Sequence, residues 1–223
     1  MSETKEFNAE FLRPLDRVCE PDPRNTVFVN LDLRHLHQSL SERTLHAKVP
    51  EDILMQFETA RNLYLYSWFV YRFYSVCEYQ ALACLEMALR KRYEQEAPKE
   101  YRNKRDHKLY LKGGLRYAID CGHVKHEGFR RWHEAAHRQA TFRYEMGKTD
   151  EMYAKGLKQI DLDYSEVVVT DADRNWEYLN FLADFLPELR NQYAHGTSML
   201  HNNVLTTLEV VSEIINQIYP AEQ

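Results

Sequence analysis

Helical periodicity dominates the pattern of apolar and polar positions along this chain. From Glu51 to Glu96 there is neither glycine nor proline, and Pro50 stands where proline suits a first helical turn. Within that run Ile53, Phe57, Leu63, Leu65, Phe69, Val70, Phe73, Val76, Ala81, Leu85 and Leu89 recur at helical spacing. The pattern predicts one very long helix or two abutting helices. Aromatic residues crowd the stretch from Tyr64 to Tyr74, which makes those turns apolar nearly all round. Such a helix is expected to be buried on more than one side, in the middle of a bundle or at a dimer seam. Arg90, Lys91 and Arg92 then favour a helix C-terminal end through the macrodipole.

Downstream, a polar connector (97–107) leads to a short helix around Leu111 to Cys121, closed by Gly122. A polar amphipathic helix is expected over 125–146 with its end at Gly147, then a shorter helical piece from Glu151 to Ile160 and an extended SEVVVTD over 165–171. Asp171 or Asp173 can cap the next helix, from about Arg174 to His195, whose apolar positions include Leu179, Phe181, Leu182, Phe185, Leu186 and Leu189. Pro187 lies inside it and predicts a kink or break, because an interior proline costs about 3 kcal/mol. Gly196 ends that segment, and a last helix runs from about Asn203 to Tyr219. Before Pro50, Pro14, Pro21 and Pro23 interrupt any helix and TVFVNLDL (26–33) alternates like an extended segment. Residues 1–50 therefore read as an N-terminal extension packed on a helical domain spanning 51–220.

Seven glycines and seven prolines among 223 residues are few, which supports an all-α class. Four cysteines (Cys19, Cys77, Cys84, Cys121) without a CxxC pair suggest reduced thiols and a cytoplasmic setting. The N-terminus shows no apolar signal-peptide core, and the most hydrophobic stretch, 62–71, falls short of the ~20 residues of a membrane span. No membrane partner is expected.

A net charge of −5 argues against a protein that coats nucleic acid, but the charge is uneven. Residues 89–148 carry 16 Lys and Arg against 8 Asp and Glu; the remainder carries 13 against 26. The basic stretch is either an ordinary mixed-charge helical surface or one that follows a phosphate backbone. In the second case Arg130, Arg131 and Arg138 contact RNA, with Tyr101, Tyr110 and Trp132 available for stacking.

Two motifs carry candidate chemistry. WHEAAH (132–137) places His133, Glu134 and His137 at zincin spacing, two ligands on one helical face with a glutamate to activate metal-bound water. Ala140 and Arg143 stand where the longer zincin pattern has glycine and histidine, and four arginines surround the stretch, so zinc hydrolysis is the weakest alternative. No cofactor or metal is expected.

The second motif, LRNQYAHG (189–196), puts Arg190, Asn191 and His195 at the end of a hydrophobic helix. Capping alone explains Gly196 and places a cation near the negative helix end. In context the motif follows FLADFLPEL and precedes the terminal helix, while upstream EYQALACLEMALRKRY is followed by LKGGLRYAIDCG. This ensemble resembles the HEPN superfamily, all-α proteins with an R-x4-6-H motif in which a polar residue follows the arginine, here Asn191. The resemblance covers roughly 60–122 and 174–220, and implies an antiparallel helical bundle with the first 50 residues as an extension and 125–170 as a central helical insert.

The resemblance also implies a metal-independent endoribonuclease with RNA as substrate, a toxin or defence component with an antitoxin or other regulatory protein as partner. Cleaving RNA through its own 2′-OH needs a base, an acid and a cation beside the phosphate. One histidine cannot serve as base and acid together, so a homodimer with a composite cleft is expected, with His195 as acid/base, Arg190 as phosphate clamp and Asn191 orienting one or the other. Glu86 or Glu78 could hold Arg190 in place; Glu86 is the better candidate, and Glu78 is expected instead to face solvent. Thr197 stands where toxins paired with nucleotidyltransferase antitoxins resemble R-x4-H-x-Y, which puts that pairing in doubt. The alternative is a non-catalytic HEPN module that binds RNA or nucleotide or mediates dimerisation.

Overall fold

The computed structural model describes residues 11–27, 32–196 and 200–221. Among these residues the secondary structure is wholly helical: α1 (Leu33–Leu40), α2 (Glu51–Tyr66), α3 (Phe73–Tyr93), α4 (Leu111–Asp120), α5 (Arg130–Ala154), α6 (Tyr178–Ala194) and α7 (Leu205–Ile218), joined by short 3-10 turns. The chain is all-α, as the periodicity predicts. No described helix is long and apolar enough to cross a membrane, and all four cysteines are free.

The run after Pro50 resolves into two abutting helices, and α3 is the centre of the bundle, packed against α2, α4, α6 and α7. Ala81, Leu82, Leu85 and Leu89 of α3 are completely buried, and Leu208, Val211, Ile214 and Ile215 of α7 join them. The corner between α2 and α3 is held by the extension. Asn25 Nδ2 donates to the carbonyls of Ser67 (2.8 Å) and Trp68 (3.0 Å), and the Asp22 carboxylate accepts from the Tyr71 N–H at 3.2 Å. Both residues are fully buried, so the backbone groups released where the helix stops find partners far away in sequence. Leu36, Leu40 and Val49 add apolar cover. Of the expected extended segment 26–33, residues 25–27 form a 3-10 turn, residues 28–31 lie outside the described residues, and Asp32 caps α1 by accepting from the His35 N–H at 2.8 Å.

Three boundaries differ from expectation. Helix α5 starts at Arg130 and runs straight through Gly147 to Ala154; Gly156, with φ +63°, follows its end. An interior glycine costs about 1 kcal/mol, and this end of α5 is tied down by Arg143 on Asp173 (2.7 Å) and Lys148 on Glu166 (3.0 Å). The 165–171 stretch pairs with no strand; it passes from a 3-10 turn to Thr170, whose capping box with Asp173 opens a one-turn 3-10 helix. Helix α6 begins only at Tyr178 and continues unbroken through Pro187. Its neighbours Leu182, Ala183, Leu186 and Leu189 are buried, and at ~1.5–3 kcal/mol per large apolar side chain their packing exceeds the cost of one missing hydrogen bond.

Gly122 (φ +70°) closes α4 as expected. Gly113 has a different reason: a Cβ there would meet the Tyr101 carbonyl oxygen at 1.7 Å. Gly113→Ala must push α4 off the connector, and an overpacked contact of this kind costs ~1–3 kcal/mol. The expected result is a lower urea midpoint with an unchanged slope.

Helix α5 docks on α7 through the buried Glu209 and the half-buried Glu213. Glu209 holds Arg43 at 2.7 Å and Arg130 at 2.6 Å, and Glu213 accepts from the Arg130 N–H at 2.9 Å. Burial, with the nearby Glu209 charge, pushes the Glu213 carboxyl up from its ordinary 4.5 to about 7. A raised folded-state value means the native protein holds a proton that the unfolded chain has released, so this contribution is full below about pH 4.5 and fades as pH rises to 7. Glu213→Gln is therefore expected to flatten the pH dependence of stability between pH 5 and 8 and to gain ~1–2 kcal/mol at the upper end, read from urea midpoints at both pH values.

Candidate functional site

The C-terminal turns of α6 pack across α3, and two buried acids of α3 receive them. Glu86 Oε2 lies 3.2 Å from Arg190 Nε, an ion pair with the carboxylate buried and the guanidinium half-buried. No hydrogen-bond partner of Arg190 Nε is aligned, so the contact is electrostatic, and the terminal nitrogens of Arg190 have no partner among the described residues. They line an open cleft of about 430 Å³ together with Glu86, Arg90, Lys91 and Glu94. Two of these cations are partly neutralised, Lys91 by Asp52 at 2.6 Å and Arg90 by Glu94 at 3.6 Å. An anion entering the cleft meets the Arg190 fork beside the Glu86 carboxylate, which lines the same cleft.

Asn191 and His195 are exposed, and neither side chain has a partner among the described residues. Their spacing puts them on one side of α6, with the backbone N–H of His195 bonded to the Asn191 carbonyl at 3.0 Å. Arg190 and His195 do not converge: five residues at 3.6 per turn separate them by roughly 140° around the helix. One chain thus turns its arginine towards α3 and its histidine outward. Gly196, with φ +83°, closes the helix, and Thr197 lies outside the described residues.

The pattern of the sequence did not disclose a second cluster, one turn from the first. Glu78, the acid for which a solvent-facing position was expected, is 2% exposed. Its Oε1 accepts from Thr207 Oγ1 at 2.5 Å, and its Oε2 accepts from the Tyr193 hydroxyl at 2.5 Å. His201 Nε2 stands 3.3 Å from Glu78 Oε2 and 3.1 Å from the Tyr193 oxygen. Burial, then the bond to Glu78, raises the Tyr193 phenol, so it remains the donor. The available signal was the spacing of Glu78 and Glu86, which share a face of α3, opposite Arg190 and Tyr193, which share a face of α6.

Between α6 and the start of α7 lies a larger cavity of about 750 Å³. Tyr178, Phe181 and Phe185 form one wall, and Glu78, His201 and Thr207 lie at its polar end.

The remaining sequence candidates are placed as follows. His133 Nε2 donates to the Glu127 carbonyl at 2.9 Å, while Glu134 stands between Arg130 (3.6 Å) and Arg138 (4.0 Å). No group of three His, Cys, Asp or Glu arranged to hold a metal occurs among the described residues. Arg130 is committed to Glu209, and Arg131 Nη2 donates to Thr206 at 2.6 Å, whereas Arg138 is exposed. Trp132 is buried, so its ring is not an open stacking surface.

Compared with models of known families, with curated proteins and with solved structures, the chain matches none.

Proposed function

We propose that the chain is a metal-independent endoribonuclease of HEPN type that works as a homodimer with a composite Arg/His site. The observation that carries this reading is the end of α6: Arg190 backed by buried Glu86 on the wall of a cationic cleft, with Asn191 and His195 exposed beside it. In this reading one His195 takes the proton from the 2′-OH, whose oxygen attacks phosphorus. The His195 of the second copy gives a proton to the departing 5′-oxygen, leaving a 2′,3′-cyclic phosphate. Arg190 neutralises the non-bridging oxygens, and Asn191 orients the imidazole one turn away. The divergence of Arg190 and His195 within one chain supports the need for two, since a second copy can bring its histidine to the first copy's arginine.

A cytoplasmic setting and a regulatory protein that restrains the activity belong to the same reading. The test is incubation of purified protein with RNA in excess EDTA. Cleavage with cyclic-phosphate termini, falling steeply on dilution as dimers separate, is the expected result; RNA left intact at high enzyme concentration leaves only a binding or dimerisation module.

A further inference from the structure

We infer that the cavity between α6 and the start of α7 takes a single RNA base, extruded from the strand next to the phosphate that is cut. This rests on the ribonuclease reading above and names the part of the substrate recognised beside the site. The wall is built for a flat ring. The rings of Phe181 and Phe185 stack on one another, 5.1 Å apart at an interplanar angle of 13°, with the buried Tyr178 behind Phe181 at 6.4 Å and 13°, and Phe181 and Phe185 are 49% and 44% exposed. Exposed aromatic faces in register provide sequence-tolerant stacking, because every base has a π-face.

The other end of the cavity is polar, which sets a base apart from an alkyl chain as occupant. His201 Nδ1 is buried with no partner among the described residues, and Gln192 and Asn203 also line the cavity. These groups match the donor and acceptor edge of a heterocycle. Both oxygens of Glu78 are already occupied by hydroxyls, and Arg131 also lines the cavity as a cation for the adjoining phosphate, opposed by the exposed Glu188 carboxylate. A volume of about 750 Å³ lies within the ~300–1,000 Å³ usual for small-ligand sites.

Position links the cavity to the chemistry. Phe181, Phe185, Glu188, Gln192 and His195 follow one another at alternating spacings of four and three, a single stripe along α6. A nucleotide whose base extends this aromatic column beyond Phe185 therefore has its phosphate directed along α6 towards His195.

The experiment uses the full chain and a short single-stranded RNA that cannot be cut, 2′-O-methylated throughout and carrying one 2-aminopurine. Binding is expected to quench the 2-aminopurine. Phe181→Ala and Phe185→Ala should each weaken binding ~5- to 100-fold, the range of one lost base stack, while Phe185→Trp restores it. The same RNA with an abasic position in place of the 2-aminopurine should bind wild type as weakly as intact RNA binds Phe185→Ala. With cleavable RNA, the alanine variants should raise KM and leave kcat nearly unchanged. Equal binding of abasic and intact RNA overturns the inference. So does a free 2-aminopurine nucleotide that binds as tightly as the oligonucleotide, or a Phe185→Ala chain that turns monomeric with quenching unaltered. Because binding is read without turnover, RNA that stays uncut while the phenylalanine-dependent quenching persists sinks the ribonuclease reading and supports the base pocket. Cleavage with quenching and KM indifferent to both phenylalanines does the reverse.

Discussion

His195→Ala is expected to slow RNA cleavage by ~10²- to 10⁴-fold, the usual contribution of a positioned acid or base, while leaving the melting temperature and the dimer unchanged. The contrast is possible because the imidazole is exposed and makes no side-chain hydrogen bond or ion pair among the described residues, so its loss leaves no orphaned partner. With two copies in a composite site, one substitution removes the base and the acid together, which places the effect at the upper end of that range. Arg190→Ala is expected to behave differently. It leaves Glu86 buried without its counterion, so activity and stability fall together, whereas Arg190→Lys retains the charge and loses the fork. The measurement is single-turnover cleavage in EDTA beside thermal unfolding. A His195→Ala protein that cuts at the wild-type rate removes the histidine from the mechanism.

The largest effect on stability is expected at Glu78. Alanine there strips Tyr193, Thr207 and His201 of their shared acceptor. Two hydroxyl donors left without their acceptor cost ~1–3 kcal/mol each, together a large share of the ~5–15 kcal/mol that holds a typical domain together. Tyr193→Phe removes one hydroxyl and leaves the carboxylate with Thr207 and His201, so ~1–2 kcal/mol is expected. The two changes should be non-additive by ~0.5–3 kcal/mol in a double-mutant cycle read from urea midpoints, because they share one hydrogen bond. A Glu78→Ala penalty no greater than that of Tyr193→Phe contradicts this account. Since Tyr193 sits between Arg190 and His195, the network also sets where the end of α6 lies.

Much of the helical layout was legible because burial in a bundle imposes a period that the residues must carry. Helices α2, α3, α4 and α7 fall where their apolar stripes lie, and the glycine caps at 122 and 196 fall where the stripes stop. The errors occur where a local signal was outvoted by distant contacts. Gly147 looks like a helix end but is carried by Arg143 and Lys148 reaching residues further along the chain. Pro187 looks like a break but lies on the buried face of a helix whose packing outweighs one missing bond. The split between α2 and α3 was an open alternative, settled by Asp22 and Asn25, which are more than forty residues away.

The candidate site divides in the same way. Arg190, Asn191 and His195 stand out because three polar groups end a hydrophobic helix, a local contrast visible in one dimension. Glu78, Tyr193, His201 and Thr207 come from α3, α6, the α6–α7 connection and α7, and each alone has an ordinary surface residue's appearance in the sequence. By itself the sequence determined the all-α class, most helix positions and the polar end of α6, because periodicity and capping are short-range demands on neighbouring residues. Only the tertiary structure decided that Glu86 backs Arg190, that Glu78 is the acceptor of a buried network, and that the aromatic stripe of α6 borders an open cavity. Those outcomes depend on which helices cross, and a buried charge can be told from a solvated one only when its partners are in place.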